Sequence, residues 1–162
     1  MPKPLSITTP GDRDIVVTRE FDAPRELVFL CYSKPELMRR WYGMPDWTTT
    51  ECEIDFRVGG KYRLAQRSPE GYVLASQGTY TAIKAPERIE QTEYYDDDWT
   101  KGGSRNVLEL IDLGGSRTRS VITVTYATPE GRAAAAASPM AVGMEIGFKR
   151  LDAVLAEEQP SR

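Results

Sequence analysis

Hydrophobic residues recur along this chain at two spacings, and the change from one to the other divides it. From Ser138 to Glu158, Met140, Met144, Phe148, Leu151 and Leu155 follow at intervals of four, four, three and four, with Gly147 and Val154 beside them. That recurrence marks one face of a long amphipathic helix. Ser138-Pro139 supplies a hydroxyl for free amides and a proline for the first turn, and Gln159-Pro160 stops the run. Upstream the dominant spacing is two. Asp14 to Phe21 alternates, with Ile15, Val17, Arg19 and Phe21 on one face and Val16, Thr18 and Glu20 on the other.

Pro24 and Pro35 open two short helical segments, whose apolar content is Leu27, Val28, Leu30 and Cys31, then Leu37, Met38, Trp41 and Tyr42. Gly43-Met44-Pro45 ends them. The pattern then predicts strands over Trp47–Arg57, Lys61–Arg67, Tyr72–Ala85 with a bend near Gly78, Arg88–Tyr95, Ser104–Leu113 and Arg117–Thr125. Gly59-Gly60, Ser68–Gly71, the acidic stretch Asp96–Gly103 and Gly114-Gly115 are the turns. Thr128-Pro129-Glu130 ends the sheet, and Gly131–Ala137 reads as a short helix or a turn. The expected organisation is a loose leader (1–12), one domain (13–158) and a tail (159–162). Its class is α+β: about six antiparallel hairpin strands curling under one long helix, which covers their apolar face.

The totals narrow the partners. Lys and Arg number 21 and Asp and Glu 24, a net charge of −3, which argues against nucleic acid because phosphate binding needs a basic face. No apolar run approaches a membrane span, and no signal peptide precedes the first strand. Cys31 and Cys52 have no metal-type spacing, so a reduced, cytoplasmic protein without metal or other cofactor is expected. The absence of histidine removes histidine triads, histidine acid–base chemistry and most zinc sites. Any catalysis falls to carboxylates, Tyr, Lys, Arg or Cys.

Several short blocks carry a family likeness. Phe21-x-Ala23-Pro24 closes the first strand, and Pro35-Glu36 leads to Trp41 across the second short helix. Asp55-x-Arg57-x-Gly59-Gly60 forms a turn, Gly78-x-Tyr80 lies within a strand, and Gly143-Met144 precedes Gly147-Phe148 and Leu151 in the last helix. Together, over residues 14–156, they resemble the heat-shock-protein-90 ATPase activator homologue family of the START-like (SRPBCC) superfamily. The resemblance implies a helix-grip (START-like, Bet v-like) fold: a curved antiparallel sheet around a C-terminal helix, enclosing a cavity that takes apolar or amphipathic small molecules. Some members of the superfamily are hydrolases, cyclases or dehydratases. The name-giving activator acts on a chaperone through a larger protein with an additional domain, for which this chain has no room.

Candidate cavity residues on that reading are Trp41, Phe56, Tyr62, Tyr80 and Tyr94, with Leu110, Met140, Met144 and Phe148. For each, ordinary core packing is the competing explanation. Arg57 is a candidate anion contact or a hairpin residue paired with Asp55. Glu109 is a candidate inward polar group or an exposed one. Glu90, Glu93 and Asp96–Asp98 read as a solvated hairpin tip, against an acid–base or cation site.

Three functions remain open. The first is a binder of a small hydrophobic molecule with no established catalysis, and the second a cyclase- or hydrolase-type enzyme in the same cavity. The third is an interaction module for a chaperone or stress response. A homodimer is open through a strand edge or the short helices. A roomy apolar pocket favours the first function, an ionisable group in a roomy pocket the second, and a filled interior the third.

Overall fold

The computed structural model describes residues 3–159. Eight strands form one curved antiparallel sheet: β1 Ser6–Thr8, β2 Asp14–Phe21, β3 Thr48–Ile54, β4 Lys61–Arg67, β5 Val73–Lys84, β6 Arg88–Tyr95, β7 Ser104–Gly114 and β8 Arg117–Tyr126. Four helices, α1 Arg25–Ser33, α2 Pro35–Trp41, α3 Pro129–Ala137 and α4 Met140–Glu158, complete the chain. The strands lie in the order β1-β2-β8-β7-β6-β5-β4-β3. From β3 to β8 the path is a meander of hairpins, because each connection carries turn residues and too few residues for a crossover. β2 adds to the open side of β8, and α1 and α2 carry the chain from there to the opposite edge.

The alternation of β2 places Ile15, Val17, Arg19 and Phe21 inward, and all four are buried. Arg19, only 4% exposed, is held by Asp152 of α4, which accepts two hydrogen bonds of 2.6 and 2.7 Å from the guanidinium. The same guanidinium stands over the rings of Phe21 and Phe148, at 4.8 and 5.9 Å from their centroids. β2 and α4 are thereby clamped across more than 130 residues of sequence. Below this clamp Val28, Leu151, Val154 and Leu155 close the core.

Two local features differ from the expected pattern, and one alternative left open is decided. Ser6–Thr8, within the expected leader, pairs with Val16–Thr18 of β2 as an edge strand, and Ile7 packs against the core. Three residues suffice because β2 otherwise leaves its backbone groups unpaired. Residues 129–137 form a helix rather than a turn. Thr128 caps it, its Oγ1 accepting from the Gly131 amide at 3.0 Å, Pro129 sits in the first turn, and the alanines propagate it. Ser138 does not cap α4. Its hydroxyl donates back to the Ala135 carbonyl at 2.6 Å, and α4 starts without a side-chain cap. In the expected tail Gln159 donates to the carbonyls of Asp22 and Leu155; residues 160–162 lie outside the described ones.

Candidate functional site

α4 changes character along its length. Its second half presents Leu151, Val154 and Leu155, which are buried; its first half presents Met140, Gly143 and Met144, which are half-buried. The first half cannot fill the concave side of the sheet, and a cavity of about 520 Å³ remains there. That lies within the usual range for small-molecule sites. The two glycines bring α4 close to α2 and the loop after it rather than to the sheet. A Cβ on Gly143 would stand 2.5 Å from the Met44 sulfur, and one on Gly147 would stand 3.5 Å from the Trp41 carbonyl.

Six candidates from the sequence line this cavity: Trp41, Tyr62, Tyr80, Met140, Met144 and Phe148. The Trp41 indole donates to the Cys31 carbonyl at 3.0 Å and stacks on Phe148 with ring centroids 6.4 Å apart. Two walls from different elements are thus fixed to each other. The Tyr62 hydroxyl donates to the Thr92 carbonyl at 2.6 Å. Gly78 makes that reach possible, because a Cβ there would lie 1.8 Å from the Thr92 oxygen and 2.8 Å from the Tyr62 ring.

The remaining candidates lie elsewhere. Phe56 fills a contact between Phe29 and Tyr80, with centroids 5.6 and 5.1 Å away. Leu110 is buried core beyond the cavity. Tyr94 is 48% exposed on the outer face of the sheet, where its ring lies over Gly103. Arg57 is 71% exposed and pairs with Asp55 at 2.9 Å, holding the β3–β4 turn outside the cavity. Glu109 is 46% exposed and pairs with Arg88 at 3.4 Å on the outer face.

The inward parity of β6 is Ile89, Gln91, Glu93 and Tyr95, the last three lining the cavity. Glu93 is the residue that sequence reasoning misplaced as part of a solvated tip. Burial raises its carboxyl above the ordinary glutamate value, and the polar Asn106 side chain opposes that only in part. Around it stand Tyr42 after α2, Tyr62 on β4, Tyr95 on β6 and Tyr126 on β8, whose hydroxyls burial and the neighbouring Glu93 charge push well above the usual phenol value. At neutral pH these phenols keep their protons. No lysine or arginine lines the cavity among the described residues.

Asp96, Asp97 and Asp98 are exposed, as expected of a hairpin tip, and each is also held by a hydrogen bond. Asp96 binds the Arg63 guanidinium with bonds of 2.9 and 3.0 Å, which holds its carboxyl below the usual range. Asp98 accepts from the Gly102 amide at 2.9 Å. Asp97 lies at the cavity edge and accepts from the Tyr72 hydroxyl at 3.3 Å. The loop also turns Trp99 back against Tyr95, with centroids 5.0 Å apart, and Trp47 meets Tyr72 edge to face at 5.9 Å. Among the described residues no group of three His, Cys, Asp or Glu side chains converges as a metal site, and no helix is long and apolar enough to cross a membrane.

A curved antiparallel sheet, a C-terminal helix across its concave side and a cavity under that helix define a helix-grip protein of the START-like kind. The chain belongs to the family of Activator of Hsp90 ATPase homolog 1-like proteins, whose profile matches residues 22–156. A protein from Rhodobacter sphaeroides has a similar crystal structure at 31% identity, with a TM-score of 0.88 over 96% of this chain and 100% of that one. A solution structure from Arthrobacter aurescens is similar at 27% identity, with a TM-score of 0.81 over 97% and 93%. Protein Ms6760 from Mycobacterium smegmatis shares the fold at 22% identity, with a TM-score of 0.84 over 97% and 100%. No protein of curated function matches the chain.

Proposed function

We propose that this protein binds a small amphipathic molecule between the first half of α4 and the sheet. The observation that carries the reading is a cavity of about 520 Å³ with walls of aromatic rings and methionine. Such walls bury an apolar body, methionine adapts to its outline, and the tyrosine hydroxyls and Glu93 orient a polar end. The interior is hollow on this side, which favours a ligand over an interaction module with a filled core.

The decisive experiment is native mass spectrometry of the protein purified from its own host, repeated on Met144→Trp. The larger indole enters the cavity rather than the packed half of the helix. The expected result is a recurrent small molecule on the parent and none on a folded variant. An empty parent whose melting temperature is unmoved by lipids, alcohols, amines and aromatic compounds would sink the reading.

One observation favours a catalytic second reading. Glu93 is an ionisable group inside a roomy pocket, and burial raises its carboxyl above the ordinary glutamate value, as in carboxyls that serve as general acids or bases. Chemical conversion of the recovered molecule by the parent, lost in Glu93→Gln while binding persists, is the result that would establish it. Binding without conversion in the parent would rule it out.

A further inference from the structure

Resting on the reading of the cavity as a ligand site, we propose that its ligand is an organic cation: an amine or quaternary ammonium group carried on an apolar body. The charge balance of the cavity leads there first. Glu93 lines it and Asp97 stands at its edge, and no lysine or arginine lines it among the described residues. The arginines near this end are occupied elsewhere. Arg63 is bound to Glu51 and Asp96, and Arg150 donates to the carbonyls of Gly43 and Met44. A half-buried carboxylate in an aromatic chamber, with no lysine or arginine in the lining, is complementary to a positive group, because a charge drawn out of water is stable when paired.

The aromatic lining points the same way. Tyr42, Tyr62, Tyr95 and Tyr126 come from four separate parts of the fold and line the same chamber as Glu93. Trp41 and Trp99 extend the lining. Ring faces carry negative potential and attract cations, most strongly where water is excluded. A quaternary ammonium is also weakly hydrated for a cation, so its transfer into such a chamber costs less than that of a compact ion. An anionic head would meet Glu93 and Asp97 with no compensating base. A fatty acid or an alkyl sulfate is therefore the wrong class, although the apolar walls would suit its tail. At the rim Asp97, which accepts from the Tyr72 hydroxyl, adds a negative entrance on a chain whose net charge is −3.

Three probes with a common octyl tail separate this proposal from the broader one: octyltrimethylammonium, octanol and octyl sulfate, titrated by calorimetry against the full chain. The expected order is ammonium tightest, by about tenfold over octanol, with the sulfate weakest. Glu93→Gln is expected to bring the ammonium down to the affinity of octanol and to leave octanol unchanged. If that variant does not fold, the pH dependence of the parent decides instead. Ammonium affinity falls as acid protonates Glu93, while octanol affinity stays flat; of the other groups facing the cavity, Asp97 at the edge is the second carboxyl, Tyr42, Tyr62, Tyr95 and Tyr126 remain neutral throughout and Asn106 does not titrate.

Octanol or octyl sulfate binding as tightly as the ammonium would overturn the cation assignment and leave the ligand-binding reading standing. Failure of all three to bind the parent would overturn both.

Discussion

Glu93 sits where folding alone would not place a carboxylate. Its raised carboxyl means that the folded chain holds this proton more tightly than the unfolded chain does. Between the ordinary glutamate value of 4.5 and the raised folded value, the folded state therefore binds more protons, and stability falls as pH rises through that window. Below 4.5 both states are protonated and the cost disappears. Glu93→Gln removes the titration and keeps the shape. It is expected to melt above the parent at neutral pH, with the difference shrinking on acidification and vanishing below the glutamate range. A variant that melts at or below the parent at neutral pH would show that Glu93 is stabilised by its surroundings. A residue whose loss stabilises the fold and removes ligand preference is one retained for binding.

At the scale of elements, the ion pair of Arg19 with Asp152, flanked by Phe21 and Phe148, joins α4 to the sheet alongside their apolar packing. Arg19 is nearly inaccessible while Asp152 is 39% exposed, so water moderates the pair without replacing it. Asp152→Ala leaves a buried guanidinium without its carboxylate and is expected to cost on the order of 2 kcal/mol. The check is the urea midpoint at unchanged m-value. Glu145→Ala is the control on the same helix. Its contact with Lys149 is long, 3.9 Å, and both ends are exposed, so its loss is expected to change stability by less than about 0.5 kcal/mol. Equal effects from the two substitutions would refute the clamp.

Such elements were largely legible in the sequence. The strands of the meander follow from alternation and turn glycines, and α4 follows from its stripe. The inward face of β6 was not legible. Hydrophobicity favours Tyr94 as the inward residue, but a hollow interior accepts Gln91 and Glu93, and the outward Tyr94 finds its surface over Gly103. One residue of parity exchanged a cavity carboxyl for an exposed ring. Ser138 misled in a different way, because its hydroxyl had two helix ends within reach and served the earlier one.

On the scale of the whole molecule, a packed end and a hollow end share one continuous sheet and one helix. The packed end contains Phe21, Val28, Leu151 and Leu155, all but inaccessible to solvent. The hollow end is closed around the cavity by the loop after α2, the acidic loop and the α3–α4 junction. α4 spans both, so its amides report the difference within a single element. Local opening costs less where fewer apolar contacts must part. Hydrogen exchange is therefore expected to be faster over residues 141–147 than over 149–156, by about a hundredfold, which corresponds to roughly 2.7 kcal/mol of local stability. A cavity ligand supplies the missing contacts to the first segment alone. Saturation with octyltrimethylammonium or octanol, whichever binds, is expected to slow residues 141–147 and the acidic loop while 149–156 stay as they were. Uniform protection along α4 without ligand would mean that the cavity does not weaken the helix above it. Uniform slowing with ligand would mean that the two ends open together, and the division into packed and hollow ends would then have no energetic content.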